Sequence, residues 1–203
     1  RLCWDKNLAV GGVPSMDDDP IPNKPEDIAT NEESRRLWRK AAARNHFDNE
    51  RLKSKRLQVM RTLNLADKYK DESFYFPVSL DFRGRVYPIP YFLQPQGPEW
   101  AKSLLSFEES QTITENGQKW LYAHTASRWG LDKKPYDERI KWVEDNIDLV
   151  RRIGTDPLSE MTWTDADEPW SFARGCMEIA RMHDQGRSFK TTLPISMDAT
   201  NQG

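Results

Sequence analysis

The 203-residue chain is long enough to bury a core, and its composition excludes several classes of protein. Charged residues make up 31% of it, yet eight Trp, eight Phe and six Tyr supply enough buriable surface that we do not expect wholesale disorder. Cys3 and Cys176 are far apart in sequence and lack partners at metal-ligand spacing, which argues against a disulfide scaffold or a zinc site. The sequence contains no run of about 18 apolar residues, so it does not predict a membrane span.

Charge is distributed unevenly along the chain, although its net charge is only −2. Residues 31–70 contain twelve Lys and Arg against five Asp and Glu, a net charge of +7. Residues 135–170 contain four Lys and Arg against ten Asp and Glu, a net charge of −6. A local positive field attracts a polyanion even when the whole chain is nearly neutral. The alternative is that both stretches are solvated helical faces without a ligand.

The first half of the chain predicts a linker, a long helix and two strands. Residues 1–30 are rich in Pro, Gly and Asp, which is typical of a linker or the end of a preceding region. Residues 31–70 lack Pro and Gly, and Thr30 with Glu33 forms a capping-box pattern, so we expect helix there with one break near residues 45–49. Two strand-like runs, 74–80 and 85–90, contain prolines that favour short or edge strands.

The second half predicts three helices and a final strand, which makes the fold class α+β. Thr114 would cap a helix that ends near Gly130, and a second helix would cover 136–154, because apolar residues recur there at helical spacing. A third helix around 172–182 would stop at Gly186. The run LPISMD at 193–198 predicts a strand that ends in an acid.

Between the two strand-like runs the sequence reads DFRGR, residues 81–85. In an extended segment Arg83 and Arg85 would lie on one face, while Gly84 would let another backbone approach closely. Paired guanidiniums suit phosphate, because each fork binds two oxygens, and Asp81 could orient one of them. The alternative is a tight turn with an internal Asp–Arg ion pair.

Several blocks in a fixed order resemble the central part of the single-subunit RNA polymerases of phages and mitochondria. They are FYFPVSLDFRGRVYPIP, QPQGPEWAKSLLSFEES, GQKWLYAH, YDERIKWVEDN and LPISMDATNQG. Upstream, NKPEDIATNEESRRLWRKAAAR and LKSKR are similar to the phage branch. The resemblance covers residues 22–203. It implies a hand-shaped polymerase, with a linker at 1–30, a helical remnant of the thumb at 31–72 and the first part of the palm, with short antiparallel strands, at 73–203.

The resemblance also implies roles for individual residues. Asp198 matches the first palm carboxylate, which would bind two catalytic Mg²⁺ ions together with the backbone carbonyl of Ala199, where the family usually has Gly. The DFRGR residues Arg83, Gly84 and Arg85, with Asp81, would hold the template strand and the RNA–DNA hybrid through backbone contacts. A basic block, formed by Lys53, Lys55 and Arg56, would extend the same electrostatic track.

The function implied is that of a fragment of a DNA-directed RNA polymerase. The complete enzyme would transfer nucleotidyl groups from ribonucleoside triphosphates to an RNA 3′ end on a DNA template, as a monomer without a membrane. The fragment alone would be inactive, because the second metal-binding aspartate, the nucleotide-binding lysine and a sugar-selecting tyrosine would lie beyond it. We expect the cytoplasm of an infected bacterium, or alternatively a mitochondrion. Other possibilities are a noncatalytic nucleic-acid-binding module and a structural domain.

Overall fold

A computed structural model describes residues 1–195. The chain divides into two compact units, one formed by residues 1–9 and 13–65 and the other by residues 10–12 and those from 66 onward. Helices dominate and the strands are short and antiparallel, so the predicted α+β class is confirmed. Among the described residues, no helix combines the length and apolar character needed to cross a bilayer.

The first unit contains a short helix, α1 (Leu2–Asp5), and most of a long one, α2 (Glu32–Tyr69). The Asn31 side-chain oxygen accepts hydrogen bonds from the backbone N–H groups of Glu33 at 3.0 Å and Ser34 at 3.2 Å, so Asn31 caps α2. The prediction that Thr30 is the cap was therefore wrong. Its hydroxyl bonds instead to a carbonyl in the preceding turn.

Helix α2 continues without interruption through residues 45–49, where we expected a break. Asn disfavours a helix interior when its side chain competes for the local backbone. Here the side-chain amides of Asn45 and Asn49 donate to the carbonyl of Asp19, at 3.2 and 2.9 Å. Since these amides bind a distant loop, the helix keeps its own hydrogen bonds, and the predicted break was wrong.

The second unit begins its sheet structure with a hairpin of two three-residue strands, β1 (Val78–Leu80) and β2 (Val86–Pro88). They pair antiparallel, with Leu80 opposite Val86 and Val78 opposite Pro88. The short strands that the prolines predicted are confirmed. A second small ladder joins β3 (Gln111–Thr112) to β4 (Lys190–Thr191).

Five helices build the rest of this unit. They are α3 (Glu99–Lys102), α4 (Glu115–Ala126), α5 (Tyr136–Asp145), α6 (Ile147–Thr155) and α7 (Pro169–Gln185). A π-helical turn (Ser127–Leu131) and two 3₁₀ turns (Met161–Asp165 and Gly186–Ser188) complete the helical segments among residues 66–195.

Some helix boundaries agree with the sequence patterns and others do not. The Thr114 hydroxyl accepts from the Gly117 N–H at 3.1 Å, and α7 stops at Gly186 with φ +60°, as predicted. The single helix expected over 136–154 is two helices, because Asn146 has φ −113° and ψ 20°, outside the helical region. The strand expected from residue 193 was wrong for 193–195, which are irregular, and its remainder lies outside the described residues.

Helix α7 is the centre of this unit and packs against α3, α4 and α6. Its Phe172, Cys176 and Ile179 are completely buried, together with Val150 and Ile153 of α6. The two helices meet at Gly154, where a Cβ atom would lie 2.2 Å from the carbonyl oxygen of Cys176. Only glycine allows this approach, so the core depends on that residue.

Candidate nucleic-acid interface

Residues Asp81–Arg85 form the turn between β1 and β2. The Gly84 N–H donates to the Asp81 carbonyl and the Asp81 N–H donates to the Arg85 carbonyl, both at 3.0 Å, so the turn is closed at both ends. Gly84 has φ +77°, a left-handed conformation that side chains with a Cβ adopt with strain. The DFRGR motif is therefore a tight turn, and the extended arrangement of the arginines was wrong.

The Asp81 carboxylate organises this turn. One oxygen accepts from the backbone N–H groups of Arg83 at 2.8 Å and Arg85 at 2.9 Å, and the other pairs with the Arg83 guanidinium at 3.3 Å. The Arg85 N–H foremost, then the Arg83 N–H and guanidinium, hold the pKa of Asp81 below its usual value. The carboxylate thus stays ionised and fixes the backbone on both sides of Gly84.

The two arginines of the turn differ in their surroundings. Arg83 forms the ion pair with Asp81, and its guanidinium also lies over the Phe82 ring, 5.2 Å from the centroid. The Arg85 guanidinium has no hydrogen bond or ion pair within residues 1–195, and the residue is exposed. Arg85 consequently has all its side-chain donors available for an incoming oxyanion.

Phe82 is a residue that the sequence reasoning missed. It stands at the tip of the turn and is 94% exposed. The available signal was its place inside a motif that can form a turn, because turns lie at the surface and expose their side chains. Other apolar residues around the hairpin are also exposed, including Tyr75, Val78, Leu80, Val86, Ile89 and Tyr91.

The basic block lies on α2, in the first unit, and its three members have different partners. Lys53 pairs with Glu50 at 2.7 Å, whereas exposed Lys55 has no such partner among the described residues. Arg56 donates to the Ser15 carbonyl and the Asp18 carboxylate, both at 2.6 Å, and to the Asp17 carbonyl. The side chain of Arg56 is 15% exposed, so its guanidinium anchors the amino-terminal loop to the helix.

The residues predicted to bind metal, Asp198 and Ala199, lie outside the described part of the chain. Within residues 1–195, no group of three or more His, Cys, Asp or Glu side chains comes together in a way that could hold a metal ion. The described residues therefore supply a candidate contact surface for nucleic acid and do not provide a magnesium site.

Comparisons with known proteins agree with the resemblance of the sequence blocks. A model of the family "DNA-dependent RNA polymerase" matches residues 111–203. The DNA-directed RNA polymerase of Enterobacteria phage T3 is 35% identical over 199 residues, which are 98% of this chain and 22% of that protein. T7 RNA polymerase of Escherichia phage T7 is 34% identical over 199 residues, which again cover 98% of this chain and 22% of that protein.

A mitochondrial relative is similar over the same extent of this chain. The mitochondrial DNA-directed RNA polymerase of Neurospora crassa is 33% identical over 208 residues, covering 98% of this chain and 14% of that enzyme. The chain thus spans about a fifth of the length of the curated phage relatives that it matches, 22% in each case. On these matches, the chain belongs to the family of DNA-dependent RNA polymerases that includes the phage and mitochondrial single-subunit enzymes.

Proposed function

We propose that this chain is the part of a DNA-directed RNA polymerase that holds the template strand and the nascent RNA, and that the complete enzyme extends an RNA 3′ end with ribonucleoside triphosphates. The observation that carries the proposal is the turn at 81–85, which leaves the Arg85 guanidinium unpaired within the described residues. A rigid turn with a free guanidinium is suited to a backbone phosphate.

The two arginines would divide the work of this turn. Arg85 would bind a phosphate oxygen directly, since its side chain has no competing acceptor within residues 1–195. Arg83 would remain partly engaged with Asp81 and contribute less. Contacts of this kind fix the position of the nucleic acid without reading its sequence.

The basic block would contribute in the same unequal way. Lys55 is exposed and unpaired in the described chain, so it is the member best placed to attract phosphate. Lys53 would have to release Glu50, and Arg56 would act by holding the amino-terminal loop. These contacts would add to the affinity for any sequence.

Two Mg²⁺ ions are the cofactor that we propose for the complete enzyme, with Asp198 as a ligand and the Ala199 carbonyl beside it. Hard divalent cations prefer such oxygen ligands, and magnesium would supply charge stabilisation to the transferring phosphoryl group. The phage relatives favour the cytoplasm of an infected bacterium as the location, and the mitochondrial relative supports the alternative.

The proposed role of the turn can be tested in the complete polymerase by measuring nucleic-acid binding across a range of salt concentrations. Arg85→Ala should weaken binding to template–primer duplexes of any sequence and reduce the salt slope by about one, because one phosphate contact is lost. Arg85→Lys should retain most of the slope, and Arg83→Ala should change it less. An unchanged slope for Arg85→Ala would contradict the assignment.

The proposed catalytic role of Asp198 needs a separate measurement. Asp198→Asn is nearly isosteric but removes the negative charge, so elongation should fall by about three orders of magnitude or more. Template binding should stay within about tenfold of the wild type, since the phosphate contacts lie on other residues. Elongation that stays within about tenfold of the wild-type rate would contradict the catalytic assignment of Asp198.

A further inference from the structure

Glu178 is a charged side chain buried on the core side of α7. The residue is only 2% exposed, and the other buried residues of this helix are apolar or small. A carboxylate that leaves water loses its hydration, so it persists in a core only where hydrogen bonds compensate for that loss. The partners of Glu178 therefore indicate what this residue does.

The two carboxylate oxygens of Glu178 have different partners. Oε1 accepts from the guanidinium of Arg181, three residues further along α7, whose side chain is 57% exposed. Oε2 accepts from the hydroxyl of Thr191 at 2.8 Å. Thr191 belongs to β4, so the second hydrogen bond ties α7 to the ladder of β3 and β4.

Thr191 passes this connection on to the next part of the chain. Its hydroxyl donates to Glu178 and also accepts from the backbone N–H of Leu193 at 3.1 Å. Hydrogen bonds linked through one hydroxyl strengthen each other. Because β4 ends at Thr191 and residues 193–195 are irregular, these side chains fix the backbone where the ladder stops. We call Glu178, Thr191 and Leu193 the Glu178 network.

A second set of contacts holds the residue between Thr191 and Leu193. The backbone N–H of Phe107 donates to the carbonyl of Thr192 at 2.9 Å. Arg174 fixes the loop before Phe107, because its guanidinium donates to three oxygen atoms of residues 103–106. Helix α7 therefore holds the end of β4 through two side chains, one directly and one through a loop.

The end of β4 matters because Asp198 follows it closely in the sequence. Asp198 comes five residues after Leu193, and five residues span at most about 18 Å when fully extended. Pro194 fixes its own φ and restricts the conformation of the residue before it. Movement at Leu193 would therefore be passed on to the proposed catalytic carboxylate, since little chain separates the two residues.

We propose that Glu178 is a positioning residue for the reaction, because through Thr191 it fixes the end of β4 and thereby the place that Asp198 takes at the reacting phosphoryl group. The inference rests on the proposed function, which makes Asp198 the catalytic carboxylate of a complete polymerase. Arg181 and Thr191 occupy both oxygens of Glu178, so it acts through other residues and does not touch the substrate. Misplacing a catalytic group by about 1 Å can cost roughly a hundredfold in rate, so a partial loss of this connection should be measurable.

Two substitutions of Thr191 in the complete polymerase test the network with little change in shape. Thr191→Val removes the hydroxyl, whereas Thr191→Ser keeps it. We expect Thr191→Val to lower the kcat of nucleotide addition by about tenfold, while the KM for ribonucleoside triphosphate and the affinity for template–primer stay within about threefold of the wild type. Thr191→Ser should retain most of the rate. Hydrogen–deuterium exchange of residues 190–195 should be at least about fivefold faster in Thr191→Val, because the Leu193 N–H loses its acceptor.

A matched pair of substitutions tests Glu178 itself. Glu178→Leu removes both acceptor oxygens and should reproduce the slower kcat and the faster exchange of Thr191→Val, whereas Glu178→Gln keeps one acceptor and should show smaller effects. Combining Glu178→Leu with Thr191→Val should add little, because both changes break the same connection. Cys176→Ala is the control, since it truncates a completely buried side chain of α7 that is not part of the network. It should lower the melting temperature without changing the exchange of residues 190–195.

Each result decides for or against the positioning role. Faster exchange in Thr191→Val with an unchanged kcat would overturn it, and so would a lower kcat without faster exchange. A loss of kcat in Cys176→Ala as large as that in Glu178→Leu would attribute the effect to stability alone. If Asp198→Asn abolishes elongation while Thr191→Val keeps the wild-type kcat, only the positioning role fails. If Asp198→Asn elongates at the wild-type rate, the proposed catalytic role fails and the positioning role fails with it.

Discussion

The hairpin of residues 78–88 and the helical core around α7 use their apolar residues in opposite ways. In the core, Val150, Ile153 and Phe172 are completely buried. In the hairpin, Leu80 and Phe82 are largely exposed. Since burial of apolar surface is the main stabilising contribution to folding, the core stabilises this unit and the hairpin contributes little. The hairpin therefore exposes its side chains to solvent, where they can contact a ligand. Substitutions in the core should lower the free energy of unfolding more than substitutions in the hairpin.

The sharpest contrast is between two glycines, one in each region. In Gly154→Ala the new Cβ meets the Cys176 carbonyl at 2.2 Å, so α6 and α7 must separate, and we expect a loss of about 3 kcal/mol or more in the free energy of unfolding. In Gly84→Ala nothing lies within 4 Å of the Cβ, and only the positive φ is penalised, by about 1 kcal/mol. Urea unfolding of both variants measures the difference. Equal losses would contradict the division between core and hairpin.

His124 should make the stability of the core depend on pH. Burial foremost, then the charges of Arg128 and Arg174, lower its pKa in the folded chain to about 4, against 6.5 for an unperturbed histidine. The unfolded chain therefore takes up a proton that the folded chain does not bind until pH 4. The free energy of unfolding should therefore fall as the pH decreases from 6.5 to 4, by up to about 3 kcal/mol.

Urea unfolding across this pH range isolates the contribution of His124. His124→Gln keeps a polar side chain but cannot titrate, so its unfolding free energy should fall less than that of the wild type over the same range. Identical pH dependence in the two proteins would show that His124 does not resist protonation.

In the basic block of α2, we expect substitutions of neighbouring cations to have different effects. Arg56→Ala removes the donors to the Ser15 and Asp17 carbonyls and to Asp18, and should cost about 1–3 kcal/mol of unfolding free energy. Lys55→Ala should change the free energy of unfolding by no more than about 0.5 kcal/mol relative to the wild type. It should weaken nucleic-acid binding at low salt. Thermal unfolding and binding titrations of both variants test whether Arg56 acts on stability and Lys55 on binding. A loss of stability in Lys55→Ala, with a loss of binding alone in Arg56→Ala, would refute this assignment.

The sequence predicts the regular features of this fold well where a local signal decides them. The Thr114 cap and the Gly186 stop act within a few residues of the elements that they bound. The continuity of α2 depends on the tertiary hydrogen bonds of Asn45 and Asn49, which periodicity does not report. The division at Asn146 is accompanied by a local hydrogen bond, in which its side-chain amide donates to the Trp142 carbonyl at 2.8 Å. The arginines of the turn were recognised as a motif, but only the structure shows that Arg83 has an internal partner and Arg85 has none within residues 1–195.

The carboxylate of Asp81 has a consequence for the entropy of binding. It already fixes the N–H groups of Arg83 and Arg85, so the turn is ordered before any nucleic acid arrives. Ordering a flexible loop costs about 1–2 kcal/mol per residue, and a loop of five residues that stiffened only on contact would lose much of the affinity its cations provide. In the role that we propose for the complete polymerase, the turn would hold successive phosphates and release them as the strands move. A turn whose ordering is completed during folding would repeat that cycle without being reordered at every step.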